Sequence, residues 1–236
     1  MIHKSLSHKI EIKSILEFLL NERFPRIQHF HMQTELFEHS QADPNINLLP
    51  RDGIARYFQN IFDGVTSDLL YQSLFRSLDW QPDQLWMFGK KVTTQRKVAW
   101  VGDEGCSYTY SRIKKEPQAW TSELLEIKNK AEALAQWKFN SCLLNLYHDG
   151  NEGMGWHSDN EIELDEDAPI VSISLGGARK FAFRHKLDGT SVSLLLENGS
   201  GLVMHAPTQA FWQHSLLKTK IAVAPRINLT FRAIKL

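Results

Sequence analysis

The sequence predicts an α+β fold in which a double-stranded β-helix, or jelly roll, has helices packed on one side. Segments with the spacing of helices come first in the chain, and short runs with the spacing of strands follow them. Glycine-rich turns separate several of these runs, which is typical of a closed or double antiparallel sheet. The 236 residues suffice for one large domain with a substantial core.

Two helices are predicted. The first carries Leu70, Leu74 and Leu78 at a spacing of four, and Thr66 or Ser67 is expected to cap its amino end. The second is predicted over residues 122–138, where apolar residues again fall on one side. Both precede the strand-rich part of the chain, so we expect them to cover one face of the sheet.

Six short runs then have the character of strands. They are CLLNLY (142–147), IVSISL (170–175), KFAFR (180–184), SVSLLL (191–196), LVM (202–204) and INLTFR (227–232). The turn sequences GG, DG and NGSG separate several of them. This number of short strands predicts the two-layered sheet of a jelly roll.

The amino-terminal residues differ in character from the rest. Residues 1–47 hold five of the ten histidines, one helix-like segment around residues 10–22, and polar text after it. We interpret residues 1–47 as an extension of unknown role and residues 48–236 as the domain.

The composition narrows the class of protein and its location. Lysine plus arginine equals aspartate plus glutamate at 27 each, so binding of a polyanion requires a local basic patch. Cys106 and Cys142 give no disulfide framework and are expected as free thiols in a reducing cytoplasm. The amino terminus is too polar for a signal peptide, and no apolar run reaches the ~18 residues of a membrane span. We expect a cytoplasmic protein, or a nuclear one in a eukaryote, that does not associate with a membrane.

Two of the predicted strands have a polar face whose role is open. Alternation puts Arg226, Asn228, Thr230 and Arg232 on one face of the last strand, and likewise places Asn145 beside Tyr147. Such a face either meets solvent or, inside a barrel, clamps a small dicarboxylate through its arginines. For Asn145 and Tyr147, orientation of a carboxylate and a cross-strand hydrogen bond are equally consistent with the pattern.

The stretch WHSDNE, at residues 156–161, is the most informative. His157 and Asp159 share a face in extended backbone, so the stretch is either half of a metal site or an acidic loop that carries a histidine. A second histidine would complete the two-histidine, one-carboxylate arrangement of non-haem Fe(II). His205 and His214 are both candidates by spacing, whereas His185 lies in the basic text FRHK and is predicted at the surface.

Taken together, four patterns in order along the chain resemble a known family. N-x-Y at 145–147, H-x-D at 157–159, W-x-H at 212–214 and R-x-N-x-T-F-R at 226–232 are similar to the AlkB family of Fe(II)- and 2-oxoglutarate-dependent dioxygenases. The similarity is greatest to the branch that repairs alkylated bases in DNA, and it covers roughly residues 48–236. Further matching text includes NLLPRDG, MFGK, WVGDEG, YTYS and SLGGARKFAFRHK.

The resemblance implies a role for each polar residue of these patterns. His157, Asp159 and His214 would be the iron ligands and the catalytic centre. Asn145, Tyr147, Arg226, Asn228 and Arg232 would bind 2-oxoglutarate. Of these, Arg226 would hold the distal carboxylate, and Arg232 would lie near the other carboxylate and near Asp159.

A basic, aromatic stretch is the candidate for the substrate side. Residues 86–115 contain seven Lys or Arg against two acids, interleaved with aromatic residues. Such a surface suits a nucleic-acid backbone with unstacked bases, although a solvated loop over core aromatics would look similar.

The resemblance places the nucleotide-recognition region within residues 48–120. It implies that Tyr108 and Tyr110 wall a pocket for a flipped base, and that Glu161 reads the edge of that base. Phe88 occupies the position of a finger residue that probes the duplex. The family's usual Pro-Arg is Gln95-Arg96 here, which leaves Arg96 for a phosphate but changes the local turn.

The function implied is oxidative demethylation of 1-methyladenine and 3-methylcytosine in DNA. The cofactors would be Fe(II), 2-oxoglutarate as cosubstrate and O2, and the products would include succinate and formaldehyde. The expected partner is DNA carrying alkylated bases, with RNA as a further possibility, and the protein is expected to be a monomer. The alternatives are an oxygenase acting on RNA or protein, and a nucleic-acid-binding barrel without turnover.

Overall fold

The computed structural model describes the backbone of residues 43–87, 90–106, 108–110 and 113–235, and the side chains of these residues apart from 83–91 and 108–115. Most of the predicted extension, residues 1–47, therefore lies outside the described residues, as does Phe88. The boundary of the extension stays a prediction.

Short strands account for most of the regular structure. In chain order they are β1 (Ile54–Phe58), β2 (Gln81–Met87), β3 (Lys90–Gly102), β4 (Tyr108–Tyr110), β5 (Ile113–Lys115), β6 (Ser141–Tyr147), β7 (Met154–His157), β8 (Ile170–Gly176), β9 (Arg179–His185), β10 (Ser191–Leu196), β11 (Ser200–His205), β12 (Trp212–Leu216) and β13 (Arg226–Arg232). The helices are α1 (Gly64–Ser77), α2 (Ser122–Ala135) and the single turn α3 (Thr208–Phe211). No helix among the described residues is long and apolar enough to cross a membrane.

The strands form two main sheets. The major sheet has the order β1-β11-β8-β13-β6-β3-β2, and the minor sheet has the order β10-β9-β12-β7. Strands β4 and β5 pair with each other as a separate hairpin. Every pairing of neighbouring strands in these sheets is antiparallel, and the architecture confirms the predicted jelly-roll class.

Helices α1 and α2 pack on the outer face of the major sheet. Leu74 of α1 and Ile127 of α2 belong to one buried cluster with Leu144 of β6, Ile173 of β8 and Leu229 of β13. The prediction that helices cover one side is thus confirmed. This packing leaves the opposite face of β6, β8 and β13 turned toward the minor sheet.

The predicted cap of the first helix was wrong by one turn. Asp63 precedes α1, and its side chain accepts a hydrogen bond from the backbone N–H of Thr66. An aspartate accepts this bond as an N-cap, so Thr66 and Ser67 fall inside the helix instead. In α2 the cap is Thr121, which accepts from the backbone N–H of Leu124, and the helix ends at Ala135 rather than at residue 138.

All six predicted strands occur, and the seven others, β1 to β5, β7 and β12, were missed. Strand β3 has the sequence KKVTTQRKVAWVG, whose basic residues disguise the alternation of a strand. Its second half pairs with β6, from Lys97 opposite Leu146 to Gly102 opposite Ser141. The stretch predicted as a nucleic-acid surface therefore continues directly into the major sheet.

Candidate metal and cofactor site

Strand pairing brings two histidines together between the sheets. His157 ends β7, and His214 lies directly opposite it in β12. Their ring centroids are 4.3 Å apart. Asp159 follows two residues later, with its Oδ1 3.7 Å from Nε2 of His157. One nitrogen of each histidine and one oxygen of Asp159 all lie within 4.8 Å of one another, close enough to share an ion.

Hydrogen bonds to the surrounding backbone hold this cluster in place. Nδ1 of His157 lies 2.8 Å from the carbonyl oxygen of Gly155, so this nitrogen carries the proton and Nε2 is left as a ligand. The Ser158 hydroxyl donates to the carbonyl of Trp212. The backbone N–H of Asp159 donates to Oε1 of Gln209 in α3 at 3.0 Å. The loop between His157 and Asp159 is thereby fixed against two neighbouring elements.

The electrostatics of the cluster suit a cation. Burial opposes ionisation of Asp159, but Arg232, His214 and His157 outweigh it, and the pKa of this carboxyl lies below its usual range. Nη2 of Arg232 is 3.0 Å from Oδ2 of Asp159. Burial lowers the pKa of His214 to about 3. The cluster therefore offers a carboxylate and a neutral imidazole, the protonation states in which these side chains bind metals.

A buried arginine lies deeper between the sheets. Arg226 is 1% exposed, and its Nη2 donates to Ser174 Oγ at 2.9 Å and to Asn228 Oδ1 at 2.7 Å. Burial lowers the pKa of this guanidinium to about 10, so it remains charged at neutral pH. Its Nε–H makes no hydrogen bond. A buried cation that keeps an unused donor favours an anionic ligand beside it.

The histidines, the aspartate and the arginines line one common cleft. The other lining residues come mainly from the inner faces of β6 and β13. The full lining is Leu143, Asn145, Tyr147, Met154, His157, Asp159, Ser172, Phe181, Met204, His214, Leu216, Arg226, Asn228, Thr230 and Arg232. The polar faces predicted for the two strands thus point between the sheets and not into solvent.

A larger cavity adjoins the cleft. Its volume is about 700 Å³, and Asp159 and Arg232 line both spaces. Glu161 also lines the cavity, with its Oε1 4.0 Å from Nη1 of Arg232. The acidic loop that follows forms one wall, and Lys186 and His205 lie in its lining.

The other two candidate histidines are not part of the cluster. His205 contributes only to the larger cavity. His185 was predicted at the surface, and this was wrong, since it is only 3% exposed. Its ring packs against Phe211 and Trp212, and its two nitrogens face Asp52 and Asp188 at 3.3 and 3.2 Å. His185 lies on the inner face of β9, and the basic residues beside it in the sequence suggested the surface instead.

Of the residues predicted for substrate binding, the structure describes the side chains of only some. Tyr108 and Tyr110 are the ends of β4, and their side chains are not among those described. Arg96 is 4% exposed, and its Nη1 donates to Asn145 Oδ1 at 2.7 Å. Its Nη1 also lies 3.5 Å from Sδ of Met154, so the guanidinium contacts two residues that line the cleft, and its predicted phosphate contact stays a prediction.

Sequence reasoning missed Ser158 and Gln209 as supports of the cluster. Both act through backbone groups of other segments, Trp212 and Asp159 respectively. Gln209 lies 50 residues from Asp159 in the chain. No local pattern could have indicated this contact, because it depends on the docking of α3.

The residues present fit an iron ion and a dicarboxylate. Two imidazoles and one carboxylate are the ligand set that leaves open positions on non-haem Fe(II). The buried charge and unused donor of Arg226 suit a carboxylate in the same cleft.

Comparisons with known proteins show which family this chain resembles. Residues 54–232 match the model of the 2OG-Fe(II) oxygenase superfamily. The chain is 36% identical over 206 residues to the DNA oxidative demethylase ALKBH2 of Homo sapiens, covering 83% of this chain and 79% of that protein. It is 34% identical over 203 residues to the alpha-ketoglutarate-dependent dioxygenase alkB homolog 3 of Homo sapiens, covering 80% and 69% of the two chains. The solved structure of OsALKBH1 has a TM-score of 0.57 at 16% identity, covering 78% of this chain and 98% of its own.

The chain therefore belongs to the 2OG-Fe(II) oxygenase superfamily. Within that superfamily it is a member of the AlkB family, an Fe(II)- and 2-oxoglutarate-dependent dioxygenase that uses O2.

Proposed function

We propose that this protein is a DNA oxidative demethylase that repairs 1-methyladenine and 3-methylcytosine. The observation that carries the proposal is the His157–Asp159–His214 cluster, which shares its cleft with Arg226 and Arg232. The relatives named DNA oxidative demethylase support DNA as the substrate.

In this proposal the iron ligands are His157, Asp159 and His214. The β7–β12 pairing fixes both imidazoles, and the Arg232 ion pair keeps Asp159 ionised and oriented. A charged partner for a ligating carboxylate limits its rotation and so preserves the geometry of the site.

For 2-oxoglutarate we propose that Arg226 binds the distal carboxylate. Ser174 and Asn228 both accept from Nη2 of its guanidinium, and its Nε–H makes no hydrogen bond. Tyr147 packs nearby, with the guanidinium carbon 5.7 Å from its ring centroid. Asn145 and Arg232 complete the polar lining toward the metal cluster. Asn145, Arg226 and Arg232 are each at most 4% exposed, which reduces the competition of bulk water for these contacts.

The substrate would occupy the larger cavity next to the cluster. Glu161 lines the larger cavity near Arg232, and in this proposal its carboxylate accepts from a base edge. We assign the pocket walls to Tyr108 and Tyr110 and the duplex-probing role to Phe88 on the family resemblance. Methylation at these ring positions makes a base cationic, which favours an acidic wall.

When bound, iron with 2-oxoglutarate and O2 supplies the oxidation, which converts 2-oxoglutarate to succinate and CO2 and hydroxylates the N-methyl group. The resulting hemiaminal breaks down to formaldehyde and the restored base. The chain itself positions the cosubstrate, keeps Asp159 ionised and presents the base next to the cluster.

Product analysis of methylated oligonucleotides tests the proposal. The panel contains 1-methyladenine and 3-methylcytosine, each in single-stranded DNA, duplex DNA and RNA of one sequence. We expect repair of the DNA substrates, and this repair should require both Fe(II) and 2-oxoglutarate. His157→Ala is the matched negative control and should show no repair. Repair of RNA alone would move the substrate to RNA. Absence of demethylation in all six substrates, by a protein that binds both cofactors, would contradict the proposal.

A further inference from the structure

Arg96 lies at the junction between the nucleic-acid stretch and the cofactor cleft. In β3, Ala99 and Val101 belong to the helix-side core, so alternation turns Arg96 and Val98 to the opposite face. Arg96 directly precedes Lys97, which is the first residue of β3 that pairs with β6 and lies opposite Leu146. Its side chain therefore enters the space between the two sheets, which explains its 4% exposure.

The contact with Asn145 sets the direction of that amide. A guanidinium only donates hydrogen bonds, so the group it meets at 2.7 Å must be the amide oxygen Oδ1. The opposite end of the amide, Nδ2, is then the donor left for the cleft that Asn145 lines. An N–H donor facing that cleft suits an anion, whereas a rotated amide would present an oxygen that repels one.

Arg96 also connects the two sheets. Its Nη1 lies 3.5 Å from Sδ of Met154, which begins β7 and therefore belongs to the strand that carries His157. The carbonyl of Met154 accepts from the Ser215 hydroxyl of β12 at 2.6 Å. One guanidinium thus touches a residue of each sheet beside the cleft.

We propose that Arg96 is a positioning residue of the cofactor cleft, which orients the Asn145 amide so that its Nδ2–H donates to 2-oxoglutarate. The proposal rests on the proposed function only in taking 2-oxoglutarate as the occupant of the cleft. It replaces the phosphate contact that the family resemblance implied for this residue.

The test measures affinity for 2-oxoglutarate and not turnover. The full chain is loaded with Mn(II), and 2-oxoglutarate is titrated by calorimetry in the absence of nucleic acid. Arg96→Met should weaken binding of 2-oxoglutarate by roughly tenfold. Without Arg96 the Asn145 amide is no longer held in the orientation in which its Nδ2–H donates to the charged cosubstrate. Arg96→Lys, which keeps a charge and an N–H donor, should weaken it less. Arg76→Met removes the same charge from the exposed face of α1 and should leave the affinity unchanged.

A double-mutant cycle separates positioning from a general structural effect. If Arg96 acts through Asn145, the loss caused by Arg96→Met should largely disappear in an Asn145→Ala background. Equal losses in both backgrounds would overturn the proposal. Should Arg96→Met fail to fold by circular dichroism, the same cycle is run with Arg96→Lys.

The competing role of Arg96 is a contact with a DNA phosphate. Binding of single-stranded DNA at several salt concentrations tests it. We expect the slope of log affinity against log salt to be unchanged in Arg96→Met. A slope reduced by about one, with native affinity for 2-oxoglutarate, would assign Arg96 to a phosphate and overturn the proposal. Failure of the native protein itself to bind 2-oxoglutarate would instead contradict the proposed function, so the two failures are distinguishable.

Discussion

Strands β6 and β13 present two faces that are both buried but are built from opposite chemistry. Toward the helices they place Leu144, Leu146, Ile227, Leu229 and Phe231, none more than 1% exposed. Toward the minor sheet the same strands place Asn145, Tyr147, Arg226, Asn228 and Arg232, of which Arg226 is 1% exposed. Leu229 and Arg226 are thus both almost fully buried in one strand, but their burial serves two different purposes.

The difference teaches where this fold gains stability and where it gives some up. Burial of a leucine removes apolar surface from water and stabilises the fold. Burial of a guanidinium carries a desolvation penalty that only excellent partners offset, and its replacement by an apolar residue is often neutral or stabilising. The inner face is then best explained by what it binds. Four substitutions test this contrast.

The largest effect is expected on the inner side, at the metal cluster. Loss of an outer hydrogen-bond partner of a metal ligand already reduces activity by about 10- to 100-fold. Removal of a proposed ligand in His214→Ala should take demethylation to background, with little loss of thermal stability in the metal-free protein. Turnover assays and calorimetric titration with Mn(II) check this. Retained metal affinity in the variant would show that the cluster is not the binding site.

On the outer side, Leu229→Ala should act on stability alone. Leu229 is fully buried in the helix-side cluster, so its truncation should lower the free energy of unfolding by about 2–5 kcal/mol. The Michaelis constant for 2-oxoglutarate should stay near its native value. Urea denaturation and steady-state kinetics at low temperature give the two numbers. A large change in the Michaelis constant would mean that the two faces are not independent.

Arg226 lies three residues before Leu229 in the same strand, and Arg226→Met should have the opposite effect, on cosubstrate affinity and not on stability. It removes hydrogen bonds from a charged donor, each worth about 1.5–3 kcal/mol, so affinity for 2-oxoglutarate should fall by roughly 10- to 100-fold. The free energy of unfolding should be retained or raised, because the buried charge is gone. The measurements are cosubstrate titration and urea denaturation. Strong destabilisation with native affinity would assign Arg226 a structural role instead.

The smallest effect concerns a helix end remote from the cleft. Thr121 caps α2 by accepting from the backbone N–H of Leu124 at 3.3 Å, and Thr121→Ala should cost about 1 kcal/mol of stability. Demethylation per folded molecule should not change. Thr121→Ser, which keeps the hydroxyl, is the control and should behave like the native protein.

Much of the site could be predicted because its residues form short ordered patterns. Strand alternation placed Arg226 and Arg232 on one face, and the H-x-D spacing indicated a shared ion for His157 and Asp159. The residues alone could not choose between His205 and His214, since the choice depends on which strand pairs with β7. That pairing is His214 opposite His157, a tertiary fact.

Three of the failures share a physical cause. Segments rich in charged residues were interpreted as surface, yet His185 and Arg96 are both buried. Strand β3 was not recognised because its lysines obscure the alternation of a strand. In each case the neighbouring residues are charged while the side chain in question faces inward between strands. Local composition reports the average of both faces of a strand, and only the pairing of strands tells which residue belongs to which face.

The most direct test of the account is spectroscopic. Under anaerobic conditions, Fe(II) and 2-oxoglutarate together should give the native protein a visible charge-transfer band that neither gives alone. His157→Ala should abolish this band, and Arg226→Met should shift its appearance to higher 2-oxoglutarate concentration. A native protein that gives no band with both components present would contradict the assignment of the inner face to iron and 2-oxoglutarate.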